Sequence, residues 1–276
     1  MAGTFQVLDG AAGGTFKTAR TLNGSDGEPL IITADARAMT DKICTRPTAV
    51  DLDADGHLDL VVGNFTGTFH LFRGGPDGFA PTSTEIKATN DKPLRIDAHS
   101  DPYLVDWDGD GDLDLFSGSV SGGVFYAPNV GTVNDARFEP FKPLIKPVKI
   151  PGSMKEMYGR EMFVEDTRIG TDFLTEPQKS TRVYVADVNG DGALDILVGD
   201  TITLYHPADG VSDEQALAAQ QAYREKERAH FDAYPDPNDA DAMESWNAEW
   251  EAFKAERNKT VTEEMTGFVW VYHQKK

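Results

Sequence analysis

DWDGDGDLDL, Asp106 to Leu115, places five aspartates and two glycines in ten residues. No such stretch packs into an apolar core, and carboxylates at alternating positions repel one another unless a hard cation sits among them. Ca2+ takes about six to eight oxygen ligands in a flexible geometry. Asp106, Asp108, Asp110 and Asp114 would stand at loop positions 1, 3, 5 and 9, with the carbonyl of Asp112 at position 7. Gly109 and Gly111 let the backbone fold tightly round the ion, because glycine reaches positive φ without steric cost.

The pattern occurs twice more, as DLDADGHLDL from Asp51 and DVNGDGALDI from Asp187. Each copy runs into an apolar stretch ending in glycine: LDLVVGN to Asn64, LDLFSGS to Ser119, LDILVGD to Asp200. The matching ligands are Asp51, Asp53, Asp55 and Asp59 with the carbonyl of His57, then Asp187, Asn189, Asp191 and Asp195 with the carbonyl of Ala193. Three copies with the same spacing and the same sequel point to about three structural Ca2+ ions rather than to solvated turns. An EF-hand is excluded, since position 12 is Val62, Ser117 and Val198 instead of Glu, and the flanks read as strands.

The motif D-x-[DN]-x-D-G-x-x-D-[LI] followed by a short apolar strand and glycine resembles the FG-GAP or VCBS repeat, over roughly residues 46 to 206. That resemblance, to the calcium-binding blades of integrin-alpha-like proteins, implies an all-β fold. It would be a β-propeller of four-stranded blades with a calcium loop between the first two strands of each blade.

Composition narrows the function. The 276 residues include 15 Phe, 8 Tyr and 4 Trp, enough for a sizeable core. The net charge is −20, and three Ca2+ ions would bring it only to about −14, so nucleic acid is not expected as a partner. The lone Cys44 permits no internal disulfide and reads as a small residue near a strand start. No run of about eighteen apolar residues is present, so no membrane span is expected. The opening MAGTFQVLDG alternates like a strand and lacks the basic start and apolar run of a signal peptide. Weak calcium loops suit millimolar calcium, which indicates an extracellular or periplasmic location.

A repeat unit consists of strand A (PTAVD, PYLVD, VYVAD), the aspartate loop, and strands B, C and D. Residues 4 to 22 read as a C–D half unit. The loops start 55 and then 81 residues apart, which leaves an insertion over residues 151–181 before the third strand A. Its Met154, Met157, Tyr158, Met162 and Phe163 suit either a partner-binding surface or simple packing. Beyond Pro207, Ser212 and Gln215 form a capping box and residues 212–258 predict a helical hairpin, with Asn238 capping the second helix. Met243, Trp246, Trp250 and Phe253 would face Leu217, Ala218, Ala222, Ala229 and Phe231. GFVWVY from Gly267 is a closing strand, either C or D, so residues 1–276 read as one propeller or part-propeller domain interrupted by the hairpin. About three and a half blades leave closure open: further blades, extra strands, or a homodimer completing about seven.

No nucleophile elbow, zinc-protease helix or phosphate loop is present. DAHSDPY, Asp97 to Tyr103, should lie near the axis with the inserted loop. His99, Tyr103, Tyr158, Arg160 and Arg168 are therefore the candidate ligand-binding residues. The expected function is a binding or adhesion scaffold for an extracellular glycan or protein. The alternative is a polysaccharide lyase, in which such groups would abstract an α-proton and neutralise a uronate.

Overall fold

The computed structural model describes residues 3–32, 39–147, 153–154, 162–163, 169–172 and 174–275. Two compact modules emerge. A core module holds residues 1–148, 177–200 and 268–276, and a second module holds residues 149–176 and 201–267.

The core module opens with β1 (Gln6–Val7), β2 (Gly10–Ala11), β3 (Thr15–Phe16) and β4 (Arg20–Thr21), where β1 pairs with β4 and β2 with β3. A short 3-10 turn (Met39–Lys42) precedes the first four-stranded sheet, β5 (Arg46–Val50), β6 (Asp59–Gly63), β7 (Phe69–Phe72) and β8 (Thr84–Glu85), paired in that order. The second sheet repeats it with β9 (Asp101–Val105), β10 (Asp114–Gly118), β11 (Val124–Ala127) and β12 (Lys142–Ile145). In the second module β13 (Ser153–Met154) pairs with β14 (Met162–Phe163). The third repeat follows with β15 (Lys179–Ala186) and β16 (Asp195–Pro207), then the helices α1 (Asp213–Asp232) and α2 (Ala240–Arg257), β17 (Val261–Thr266) and β18 (Val269–Tyr272).

The register settles what the closing strand is. Leu60 sits opposite Phe72 and Leu115 opposite Ala127, and Ile196 sits opposite Tyr272 in the same way. GFVWVY is therefore strand C of the third repeat, reached after an excursion in which the second half of β16 pairs with β17. The N-terminal hairpin likewise repeats the outer half of a unit. Leu22 N–H donates to Phe5 O as Ile86 N–H does to Phe69 O, and Leu30 N–H to Leu22 O as Leu94 N–H does to Ile86 O.

All five residues of β6 and of β10 are buried, because each central strand is covered on both faces. One face of the first sheet (Leu60, Val62, Phe72) packs on Phe5, Leu30 and Ile32 from the N-terminal stretch. The other (Val61, Phe69, Leu71) packs on Leu104, Leu115, Ala127 and Phe138 of the second. Phe116, Val124 and Tyr126 pass the contact on to Val183, Val185, Ile196 and Val198 of the third.

Where one sheet hands over to the next, glycine is required by space. A Cβ on Gly63 would lie 2.2 Å from Ser100 O, and one on Gly118 would lie 2.1 Å from Thr181 O. Ser100 and Thr181 are fully buried. Ser100 Oγ accepts from Asn64 N–H and donates to Thr68 O; Thr181 Oγ1 accepts from Ser119 N–H and donates to Gly123 O. The preceding residues, His99 and Ser180, and Cys44 at the same place in the first repeat, all have left-handed backbone (φ 55°, 55° and 53°). Cys44 is thus part of a repeated corner, and its side chain is exposed.

The three sheets do not close into a ring among the described residues, so the closed propeller is not what this fold displays. At Gly199 no atom lies within 4 Å of a built Cβ, and Val269 and Val271 are 71% and 45% exposed.

In the second module the capping box forms as expected, with Ser212 and Gln215 bonding reciprocally. Asp239, not Asn238, caps α2, because Asn238 is held by Asp236 Oδ1 in the preceding turn. The predicted face of α1 is also displaced. Ala216, Gln220, Tyr223 and His230 are buried, while Ala218, Ala222 and Ala229 are exposed. The shift follows from α1 packing on Tyr205 and Val261, with Arg224 bonded to the Tyr205 hydroxyl at 2.6 Å. His230 stacks on Trp246 (4.2 Å between centroids) and Trp250 (5.5 Å), and Trp246 Nε1 donates to His230 O. Trp246→Ala should cost the hairpin about 2 kcal/mol through lost packing and one hydrogen bond. Helical circular dichroism would read this as an earlier melting phase, and an unchanged curve would show the stack to be energetically idle.

Candidate metal centres

The three aspartate loops connect β5 to β6, β9 to β10 and β15 to β16, and each is folded by its own carboxylates. At position 1, Asp51 accepts from Asp55 N–H and Gly56 N–H, Asp106 from Gly109 and Gly111, and Asp187 from Gly190, Asp191 and Gly192. At position 5, Asp55, Asp110 and Asp191 accept from the N–H two residues on. These bonds curl the chain inward, which demands left-handed residues at position 4 (Ala54, Gly109, Gly190) and position 6 (Gly56, Gly111, Gly192).

Position 9 is a buried clamp in every repeat. Asp59 takes Leu52 N–H and Gly74 N–H, Asp114 takes Trp107 N–H and Asn129 N–H, and Asp195 takes Val188 N–H and Gln274 N–H. Each of these carboxylates thereby ties the loop to the end of strand C, a role that the sequence pattern alone did not reveal.

Carboxylate oxygens of Asp51, Asp53 and Asp55 lie within 4.8 Å of one another, as do those of Asp106, Asp108 and Asp110. Oxygens so close suit a hard cation. Within the first triad Asp53 Oδ1, and beside the second Asp112 Oδ1, are buried without a hydrogen-bond partner. The residues therefore fit an oxygen-liganded ion. The third loop differs, because the Asn189 amide stands between the acids and its Nδ2 donates to Asp191 Oδ2 at 3.2 Å.

Electrostatics mark the second loop as the most stressed. Asp112, assigned from sequence only a carbonyl role, buries its side chain, and its carboxyl is pushed up to about 6 by burial and by Asp110, Asp114, Asp108 and Asp106. Asp114 is also raised, by burial outweighing its two backbone N–H bonds. In the third loop burial works on Asp195 in the same direction. There His273, with Nδ1 at 3.1 Å, and two N–H groups prevail and hold the carboxyl below the usual range.

Of the candidate ligand-binding residues, His99 packs against Phe65 (4.7 Å between rings). The Tyr103 hydroxyl donates to Val185 O at 3.0 Å, and its ring meets Tyr184 edge-on. Tyr158, Arg160 and Arg168 lie outside the described residues. Between His99 and Tyr103 stands Asp101, flanked by Arg46 at 3.8 Å and Arg182 at 3.4 Å. Burial raises the Asp101 carboxyl, and the two arginines oppose that. Sequence reading missed this ion group, although the three residues occupy the same place in successive A strands.

No helix among the described residues is long and apolar enough to cross a membrane. No curated protein and no solved structure matches the chain. Residues 51–117, which run from the first aspartate loop through most of β10, match the family model of the FG-GAP-like repeat, and this segment is an FG-GAP-like repeat region.

Proposed function

We propose that the chain is a calcium-stabilised scaffold of β-propeller type, working outside the cytoplasm, that presents a surface to a glycan or protein ligand. The observation that carries this reading is the pair of aspartate triads, each with oxygens inside 4.8 Å and each accompanied by a buried unpartnered carboxylate oxygen. About three ions would sit in the loops, with Asn189 making the third weaker than the second. Their role would be structural, since they would join loop segments already clamped to strand C. The FG-GAP-like match supports an adhesion-type scaffold. The Tyr103 hydroxyl is engaged with Val185 O, which argues against its use in proton abstraction.

Replacing Asp110 by Ala should lower the melting temperature in calcium and shrink the shift produced by chelator, and Asp191→Ala should do the same to a smaller extent. Unchanged melting curves would remove the ligand assignment. For the ligand, retention of a glycan on an array without turnover would support the scaffold. An unsaturated product absorbing in the near ultraviolet, formed from a uronate polymer, would replace it with the lyase.

A further inference from the structure

The residue that follows strand C separates the first loop from the second. The shared register, Leu60 opposite Phe72 and Leu115 opposite Ala127, makes Arg73 and Pro128 equivalent. The clamps agree, because the next residue donates its N–H to position 9 in both repeats, Gly74 to Asp59 and Asn129 to Asp114. Arg73 Nη1 lies 2.7 Å from Asp53 Oδ2 and 3.0 Å from Asp59 Oδ2, so one guanidinium nitrogen bridges positions 3 and 9 of the loop. Pro128 carries no charge, and among the described residues no ion pair reaches Asp106, Asp108, Asp110, Asp112 or Asp114.

We propose that the loops are not equivalent cation sites: Arg73 is a built-in counter-cation that closes the first loop by itself, whereas the second loop depends on a bound ion for its order. The inference rests on the calcium reading above and adds which site responds. Charge supports it. The first loop sets four carboxylates against one arginine, and the second has five carboxylates, counting Asp112, against none. The arginine and the ion compete for Asp53 and Asp59, so filling the first loop means displacing a fixed, hydrogen-bonded charge. Asp53 Oδ1, buried and unpartnered, remains for an ion there beside the Asp51 and Asp55 carboxylates.

Hydrogen exchange resolved by peptide, in chelator and in millimolar calcium, tests this on the intact chain. Calcium should slow exchange over residues 106–114 by about tenfold or more, corresponding to about 1.4 kcal/mol, and change residues 51–59 much less. Arg73→Gln should make 51–59 exchange fast in chelator and restore its protection with calcium. Pro128→Arg, a separate variant, should protect 106–114 in chelator and shrink its calcium response. Equal calcium responses of the two loops in the unmodified protein would overturn the inequivalence while leaving calcium binding intact. A loss in Arg73→Gln that calcium does not repair would make Arg73 an ordinary packing residue. If neither loop responds to calcium, the calcium reading itself falls and takes this inference with it.

Discussion

Gly118→Val is expected to break the contact between the second and third sheets and to be among the most damaging single substitutions in the core module. A Cβ there would stand 2.1 Å from Thr181 O and 2.6 Å from its carbonyl carbon. Both are backbone atoms, and the Thr181 hydroxyl is itself fixed to Ser119 N–H and Gly123 O. No rotamer can yield, so the strands must separate and uncover Phe116, Val124, Val183 and Val198, all 8% exposed or less. The cost should exceed the ~1–3 kcal/mol of ordinary overpacking and take a large part of a domain's stability. Gly199→Val is the matched control. It occupies the same place in the third repeat but meets nothing within 4 Å, and its cost should stay within about 0.5 kcal/mol. Urea unfolding of the two variants decides the matter, and equal losses would show that the glycine crossing is not what binds the sheets.

The second large effect is on the metal-free protein as pH rises. The Asp112 carboxyl is raised from 3.8 to about 6 in the folded state, so the fold holds this proton more tightly than the unfolded chain does. The stability linked to it is fully present below about pH 4 and is lost as pH climbs through about 6. In chelator, thermal stability should therefore fall from pH 4 to pH 7, the range in which Asp112 gives up its proton among four neighbouring carboxylates. Calcium should abolish the slope, since an ion in the loop favours the charged form. Asp112→Asn should flatten the chelator profile as well. Asp195 acts with the opposite sign: its carboxyl is lowered, so it contributes stability that disappears only as pH drops through its folded value. A profile that is level from pH 4 to pH 7 in chelator, or a slope that survives in Asp112→Asn, would contradict the repulsion assigned to Asp112.

Much of the core module was legible in the chain because its signals are local. An aspartate loop is recognisable from ten residues, and its glycines at positions 4 and 6 belong to the same turn, so loop and flanking strands A and B emerged together. The helical hairpin was legible for the same reason, since the Ser212–Gln215 capping box is a four-residue event. What went astray depended on distant neighbours. The buried face of α1 runs through Ala216, Gln220, Tyr223 and His230 instead of Ala218, Ala222 and Ala229, because Tyr205 and Val261, far away in sequence, choose which side is covered.

By itself, the sequence determined the three aspartate loops, the order of strands around them, the half unit at the start and the place of the helical hairpin. The loops and the helix starts are set by hydrogen bonds and turn geometry within a few residues, and the strand order and the half unit follow from the repetition of the pattern along the chain. Only the tertiary structure decided that position 9 is a clamp, that GFVWVY is strand C, that Gly63 and Gly118 mark the passage between sheets, and that Arg73 sits on Asp53 and Asp59. Each of those facts depends on at least one contact between residues fourteen or more positions apart. At that separation spacing carries no information about which side chains meet, and the packing of one sheet on the next makes the choice.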